Sequence, residues 1–134
     1  MPVVQGGIIM KINKLTISNF KGIAGTIELT MPKIAAIVGR NGIGKTSTIE
    51  AIKFGLTGDE PDGDIIHHGA EAAYVTIDLD DPIDGMSHEF TRKKFLNKPS
   101  KFLIDGKTTT AKALNEKLEQ CIGISLDRVK ILAS

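Results

Sequence analysis

Gly39-Arg40-Asn41-Gly42-Ile43-Gly44-Lys45-Thr46 carries every fixed position of the pattern G-x-x-x-x-G-K-[ST]. The glycines let the backbone turn tightly and remove the Cβ atoms that would keep successive N–H groups from converging on an anion. Lys45 reaches the β- and γ-phosphates as a compact charge, and the hydroxyl of Thr46 suits Mg²⁺. Upstream, Lys33-Ile34-Ala35-Ala36-Ile37-Val38 is a short apolar run that predicts a buried strand. Downstream, Ile49, Ile52, Phe54 and Leu56 fall largely on one face of a predicted helix over 46–56. Strand, glycine loop and helix together aim a helix N-terminus at phosphate. The expected ligand set is Gly39, Asn41, Gly42, Ile43, Gly44, Lys45 and Thr46. Ser47 and Thr48, at the helix start, are placed to touch an α-phosphate.

Composition sets the frame around this loop. At 134 residues, 41% hydrophobic and 25% charged, the chain is one ordinary globular domain's worth. Seventeen Lys plus Arg against 16 Asp plus Glu give a net charge of +1, so any basic surface must be local. The single cysteine, Cys121, rules out an internal disulfide and fits a reducing cytosol; its neighbours place it late in an amphipathic helix, as a buried thiol. No apolar run approaches the roughly 20 residues of a membrane helix, and 1–7 lack the pattern of a signal peptide. Residues 1–9 are expected to be a flexible extension, with Met10 an alternative start, and 10–134 a single lobe.

Taken in order, Ile8 to Ile17 predicts a strand with a kink near Asn13, and Ser18-Asn19-Phe20-Lys21-Gly22 a turn. Thr26 to Met31 alternates as a half-exposed strand that Pro32 ends. Gly55 weakens the helix after the glycine loop and Gly58 closes it. Asp59 to Asp64 is an acidic connection, and the adjacent His67 and His68 diverge too much for a shared metal. Ala73 to Asp81 is tempting as the acid-tipped strand of a second nucleotide motif. Its strict alternation instead predicts a strand with one wet face, where such a motif wants burial on both. Ser87 to Leu96 returns as its hairpin partner, and Asp105-Gly106 marks another hairpin. Ala113, Leu114, Leu118 and Cys121 or Ile122 share a helical face that Gly123 stops, and Ser125 caps a short final segment. The count is six to eight strands and three helices: α/β or α+β with a substantial antiparallel part.

The residues around the loop narrow the class. Leu15 to Gly22, then a strand, then Val38 to Ser47 and Glu50-Ala51-Ile52 resemble the N-terminal lobe of the ATPase head in the SMC, RecF, RecN and SbcC group. These are ABC-type P-loop ATPases of DNA repair and chromosome maintenance, and SbcC-like double-strand-break-repair ATPases are the nearest match. The hairpin ending in Thr91-Arg92 and the helix before residue 125 fit that lobe as well. Ile43 departs from the commoner Ser at its position, without harm to phosphate geometry. The resemblance implies ATP and Mg²⁺ as cofactors, with Lys21 and Gly22 lining the nucleotide near its sugar and phosphates. For Lys21, a solvated turn lysine is the alternative. It implies two heads sandwiching two ATP molecules, so Arg40 either meets a second head or is a plain surface arginine.

Other parts that the group uses do not occur in this sequence. No Ser-Gly-Gly signature, acid pair or switch histidine follows, and neither Gln5 nor Gln120 sits where a Mg²⁺-contacting glutamine belongs. The expectation is therefore a fragment, or a half-head that borrows its other lobe. Phosphoryl transfer is positioning plus charge stabilisation, and the water-positioning groups belong to the missing lobe. The complete head is expected to hydrolyse ATP, while this lobe alone binds it with little or no turnover. Expected partners are the C-terminal lobe, a second head as homodimer on ATP binding, DNA and a nuclease subunit, with no membrane contact. The setting is cytoplasmic: nucleoid-associated, or nuclear if eukaryotic. Arg92, Lys93, Lys94, Lys98 and Lys101, with Phe95 and Phe102 interleaved, either track a DNA backbone or decorate a plain exposed hairpin. The competing classes are a small P-loop kinase or GTPase, whose lid arginines or Asn-Lys-x-Asp motif do not occur, and an assembly module that binds nucleotide without turnover.

Overall fold

A computed structural model describes residues 11–31, 33–34, 46–123 and 125–126. Within them lie six strands: β1 (Ile12–Ser18), β2 (Thr26–Thr30), β3 (Ala72–Asp80), β4 (Ser87–Phe95), β5 (Lys101–Ile104) and β6 (Lys107–Thr109). They form one sheet in the order β2-β1-β3-β4-β5-β6, and every adjacent pair is antiparallel. Two named helices accompany it, α1 (Thr46–Thr57) and α2 (Ala111–Ile122).

Period-2 alternation decides which face of the sheet is dry. In β3, Ala73, Val75, Ile77 and Leu79 are buried while the residues between them are not. Register places Leu15 and Phe90 on either side of Ile77, and Ile17 and Arg92 on either side of Val75, so one continuous inner face results. Helix α1 lies on that face and buries Ile49, Ala51, Ile52, Phe54 and Leu56. Helix α2 buries Leu114, Leu118, Cys121 and Ile122. The opposite face carries Lys14, Thr76, Tyr74, Lys93 and Lys101, all half-buried or exposed, with Thr16 and Ser18 of β1 buried among them.

Local chemistry fixes the junctions. The register of β1 against β3 slips between Ile12 and Lys14, so Asn13 is the extra residue of a bulge, where the sequence predicts a kink. Its side-chain amide donates to Asp78 at 3.1 Å and to Asp80 at 2.9 Å. At the β5–β6 turn, Asp105 and Gly106 have φ of 52° and 79°, the left-handed pair that an Asp-Gly hairpin needs. Thr110 caps α2 by accepting from the Ala113 N–H at 3.1 Å, and Gly123 ends it at φ 82°.

Two expectations change and several lie outside the described residues. Lys33 and Ile34, the start of the predicted strand before the glycine loop, have helical backbone, with Ile34 fully buried. Gly55 does more than weaken its helix. A Cβ there would come within 2.6 Å of Ile77 Cδ1 and 2.8 Å of Val75 Cγ1, so the missing side chain lets α1 sit down on β3. The 1–9 extension, Pro32, residues 35–45 and everything after 126 are outside the described residues.

Candidate functional site

The predicted phosphate ligands Gly39, Asn41, Gly42, Ile43, Gly44 and Lys45, with Arg40, lie outside the described residues. What is described is the start of the helix that follows them in sequence and the turn packed against it. Helix α1 begins at Thr46, directly after the glycine loop, and its first turn holds Thr46, Ser47 and Thr48 with no acidic residue. The positive end of its dipole is therefore not neutralised from within its first turn.

Against this helix start stands the Asn19-to-Gly22 turn. Phe20 is fully buried, its ring centroid 5.7 Å from that of Phe54 on α1, so an aromatic plug ties turn to helix. Asn19 and Lys21 both take φ of 50°, a conformation costly for a residue with a side chain unless the surroundings hold it. They do hold it. The Asn19 side-chain oxygen accepts from Gly25 N–H at 2.8 Å, and Lys21 N–H donates to the Ile65 carbonyl at 2.6 Å. His67 Nδ1 lies 2.6 Å from the Lys21 carbonyl. A carbonyl only accepts, so the proton sits on Nδ1. His67 is thus a turn-holding residue.

The turn delivers two predicted site residues to the start of α1. A Cβ on Gly22 would lie 3.5 Å from Ser47 Oγ. Lys21 Nζ lies 3.3 Å from the Glu50 carboxylate and donates to the Asp62 carbonyl at 2.8 Å. Lys21 is therefore half-buried and held at the helix, not loose in solvent. Gly22 thus lies beside Ser47, and Lys21 reaches Glu50 further along the same helix.

The basic run divides. Arg92 does not belong on an exposed surface: only 4% of it is accessible. Its Nε donates to the Gly55 carbonyl at 3.0 Å, and its Nη2 to the Leu56 carbonyl at 3.3 Å and to Asn115 Oδ1 at 2.7 Å. Strand parity is the reason, since Arg92 points the same way as buried Phe90. Burial lowers the guanidinium's pKa to about 10, the charge of Asp59 partly opposing. Lys94 shares that parity and pairs with Glu60 at 3.2 Å. The other lysines gather on the outer face. Lys93 Nζ lies 5.1 Å from the Phe95 ring and 5.8 Å from Tyr74, Lys98 lies 5.6 Å from Phe95, and Lys101 is the cross-strand partner of Lys93.

A second polar cluster is not marked by any motif in the sequence. Asp81, fully buried in its side chain, meets Lys117 Nζ at 2.6 Å and Gln120 Nε2 at 2.6 Å. His88 spans Asp84 at 2.6 Å and Asp105 at 2.7 Å. Asp81, Asp84 and His88 are close enough to share a metal ion, but their atoms are already committed to one another and to Lys117. The cluster clasps the β3–β4 turn, the β5–β6 turn and α2, and only pairing could reveal it.

An antiparallel sheet carries a helix whose first residue, Thr46, ends the G-x-x-x-x-G-K-[ST] pattern of the sequence. The family model of the RecF/RecN/SMC N terminal domain matches residues 11–127, and the chain belongs to that family. The DNA replication and repair protein RecF of Anaeromyxobacter sp. (strain Fw109-5) is 35% identical over 78 residues, 54% of this chain and 21% of that protein. The DNA double-strand break repair Rad50 ATPase of Methanocaldococcus jannaschii is 28% identical over 121 residues, 86% of this chain and 12% of its own length. The chain thus spans about a fifth of that RecF and about an eighth of that Rad50. A solved structure described under ATP-driven dimerization and DNA-stimulated activation of SMC ATPases superposes with a TM-score of 0.69 at 26% identity. That match covers 85% of this chain and 80% of the other.

Proposed function

We propose that this chain is the ATP-binding N-terminal lobe of an SMC-like ATPase head that serves DNA double-strand-break repair, recombination or chromosome maintenance. The observation that carries it is the Lys21–Gly22 turn set against the carboxylate-free first turn of α1, directly after the glycine loop. Backbone amides of 41–46 and the Lys45 ammonium would hold the phosphates, and Thr46 the Mg²⁺. The metal, when bound, neutralises charge on the β- and γ-phosphates. Lys21 supplies a second cation at the wall, which a phosphate can draw from Glu50. The chain's part is to bind and orient. Turnover belongs to the complete head, where a C-terminal lobe and a second head close on the nucleotide.

Equilibrium dialysis of ATP with and without magnesium tests this reading. Wild-type binding that needs magnesium and weakens several-fold in Lys21→Ala supports it. Robust hydrolysis by the lobe alone would favour a self-sufficient kinase or GTPase instead.

The row of Lys93, Lys98 and Lys101 gives the lobe a surface for a nucleic-acid backbone, with DNA as the partner. Each phosphate-bound lysine contributes about one unit to the slope of log affinity against log salt. Neutralising these three to Gln should flatten the slope by about two to three, whereas Lys94→Gln, on the other face with Glu60, should leave it alone. Equal effects from both variants would remove the surface from the account. A nuclease subunit is the further partner this reading carries.

A further inference from the structure

Arg92 is an expensive residue to bury, because a cation loses its hydration and must find equivalent partners. Among the described residues no carboxylate lies within 4.0 Å of its guanidinium nitrogens. It faces instead the negative end of the α1 dipole, through the carbonyls of Gly55 and Leu56. The last turn of α1 has no basic residue of its own, so β4 supplies the charge from outside. Asn115 of α2 holds the guanidinium from the other side at 2.7 Å. Gly58, at φ 82°, passes beneath it: a Cβ there would lie 3.1 Å from Nη1.

The helix therefore has three fixings. Arg92 grips its C-terminal end, Gly55 seats it on Val75 and Ile77, and the Lys21–Gly22 turn meets its N-terminal turn. A 12-residue helix is a stiff rod of about 18 Å, so releasing its C-terminal turn from Arg92 lets it tilt on the sheet and shifts the other end. We propose that Arg92 is a positioning residue for nucleotide binding, clamping the C-terminus of α1 so that its N-terminal turn keeps its place beside Lys21 and Gly22. This rests on the ATP-binding function proposed above.

The test measures magnesium-ATP affinity by calorimetry at 10 °C for wild type, Arg92→Met, Arg92→Lys and Asn115→Ala, each shown folded by circular dichroism. Met should weaken binding about tenfold, the loss of a charged group's hydrogen bonds. Lys should recover part of it, and Asn115→Ala should weaken it by about threefold. A merely structural arginine would lower the melting temperature and leave the affinity of the folded protein within twofold of wild type; that result overturns the proposal. Should Arg92→Met fail to fold, Arg92→Lys and Asn115→Ala decide by the same criterion. Hydrogen exchange gives a readout independent of ATP: the amides of Glu50 to Lys53, the first with acceptors inside the helix, should exchange several-fold faster in Arg92→Lys, and unchanged exchange there also overturns it. Wild type failing to bind ATP would sink the functional reading and with it the nucleotide role of Arg92, while the exchange measurement still decides whether Arg92 clamps the helix.

Discussion

The α-carbon of Gly55 rests on Ile77 so closely that a methyl group there would come within 2.6 Å of Ile77 Cδ1. Helix propensity alone says Gly55→Ala should stabilise by about 1 kcal/mol. Overpacking against a fully buried Ile77 costs about 1–3 kcal/mol, and it wins. Gly55→Ala should therefore lower stability, by up to about 2 kcal/mol, in urea titrations. A stabilised variant would show that α1 does not sit on β3 as described.

That glycine also shows where the sequence is legible and where it is not. Strict alternation from Ala73 to Leu79 and the Asp105-Gly106 pair are local signals, and strand, wet face and hairpin follow from them directly. The Asn13 kink and the Gly123 stop are legible for the same reason. Gly55 reads as a weak helix former because its job lies across space, on β3. Arg92 reads as one of five surface cations because nearest neighbours in sequence hide its parity with Phe90. The Asp81–Lys117 and His88–Asp105 contacts join residues 36 and 17 positions apart, and no motif announces them. Lys21 and Gly22 are singled out by the resemblance and Ser47 by its place at the helix start, while the Phe20–Phe54 contact that holds turn to helix is a long-range one that no motif marks.

The polar clasp makes stability depend on pH at both ends. Hydrogen bonds to Asp105 first, then Asp84, raise the His88 pKa above its ordinary 6.5. Its contribution is whole below 6.5 and is lost as pH rises through the raised folded value. Asp81 runs the other way: Lys117 above all lowers its pKa to about 2, so its contribution is present above 3.8 and lost as pH falls through about 2. An NMR titration should place His88 above 6.5, and Asp105→Asn should bring it down. A His88 value at or below 6.5 would mean the two carboxylates do not hold the ring. Lys117→Met should move acid unfolding to higher pH.

Cys121, 1% exposed, should be an inert thiol in the folded chain. Burial, with the nearby charge of Asp81, pushes its pKa up to about 11 from 9.0. At pH 8 the thiolate fraction is then about a hundredfold below that of an ordinary cysteine. Labelling with a disulfide reagent should be slow when the protein is folded and immediate in denaturant. Complete labelling of the folded protein within seconds would show that α2 leaves its thiol open.

Calorimetry of magnesium-ATP binding to the wild-type chain and to Lys45→Ala addresses the central claim most directly. A saturable, magnesium-dependent heat at one site per chain, abolished by Lys45→Ala while the melting temperature holds, is the predicted result. No heat at millimolar ATP, or equal binding by both proteins, would contradict it.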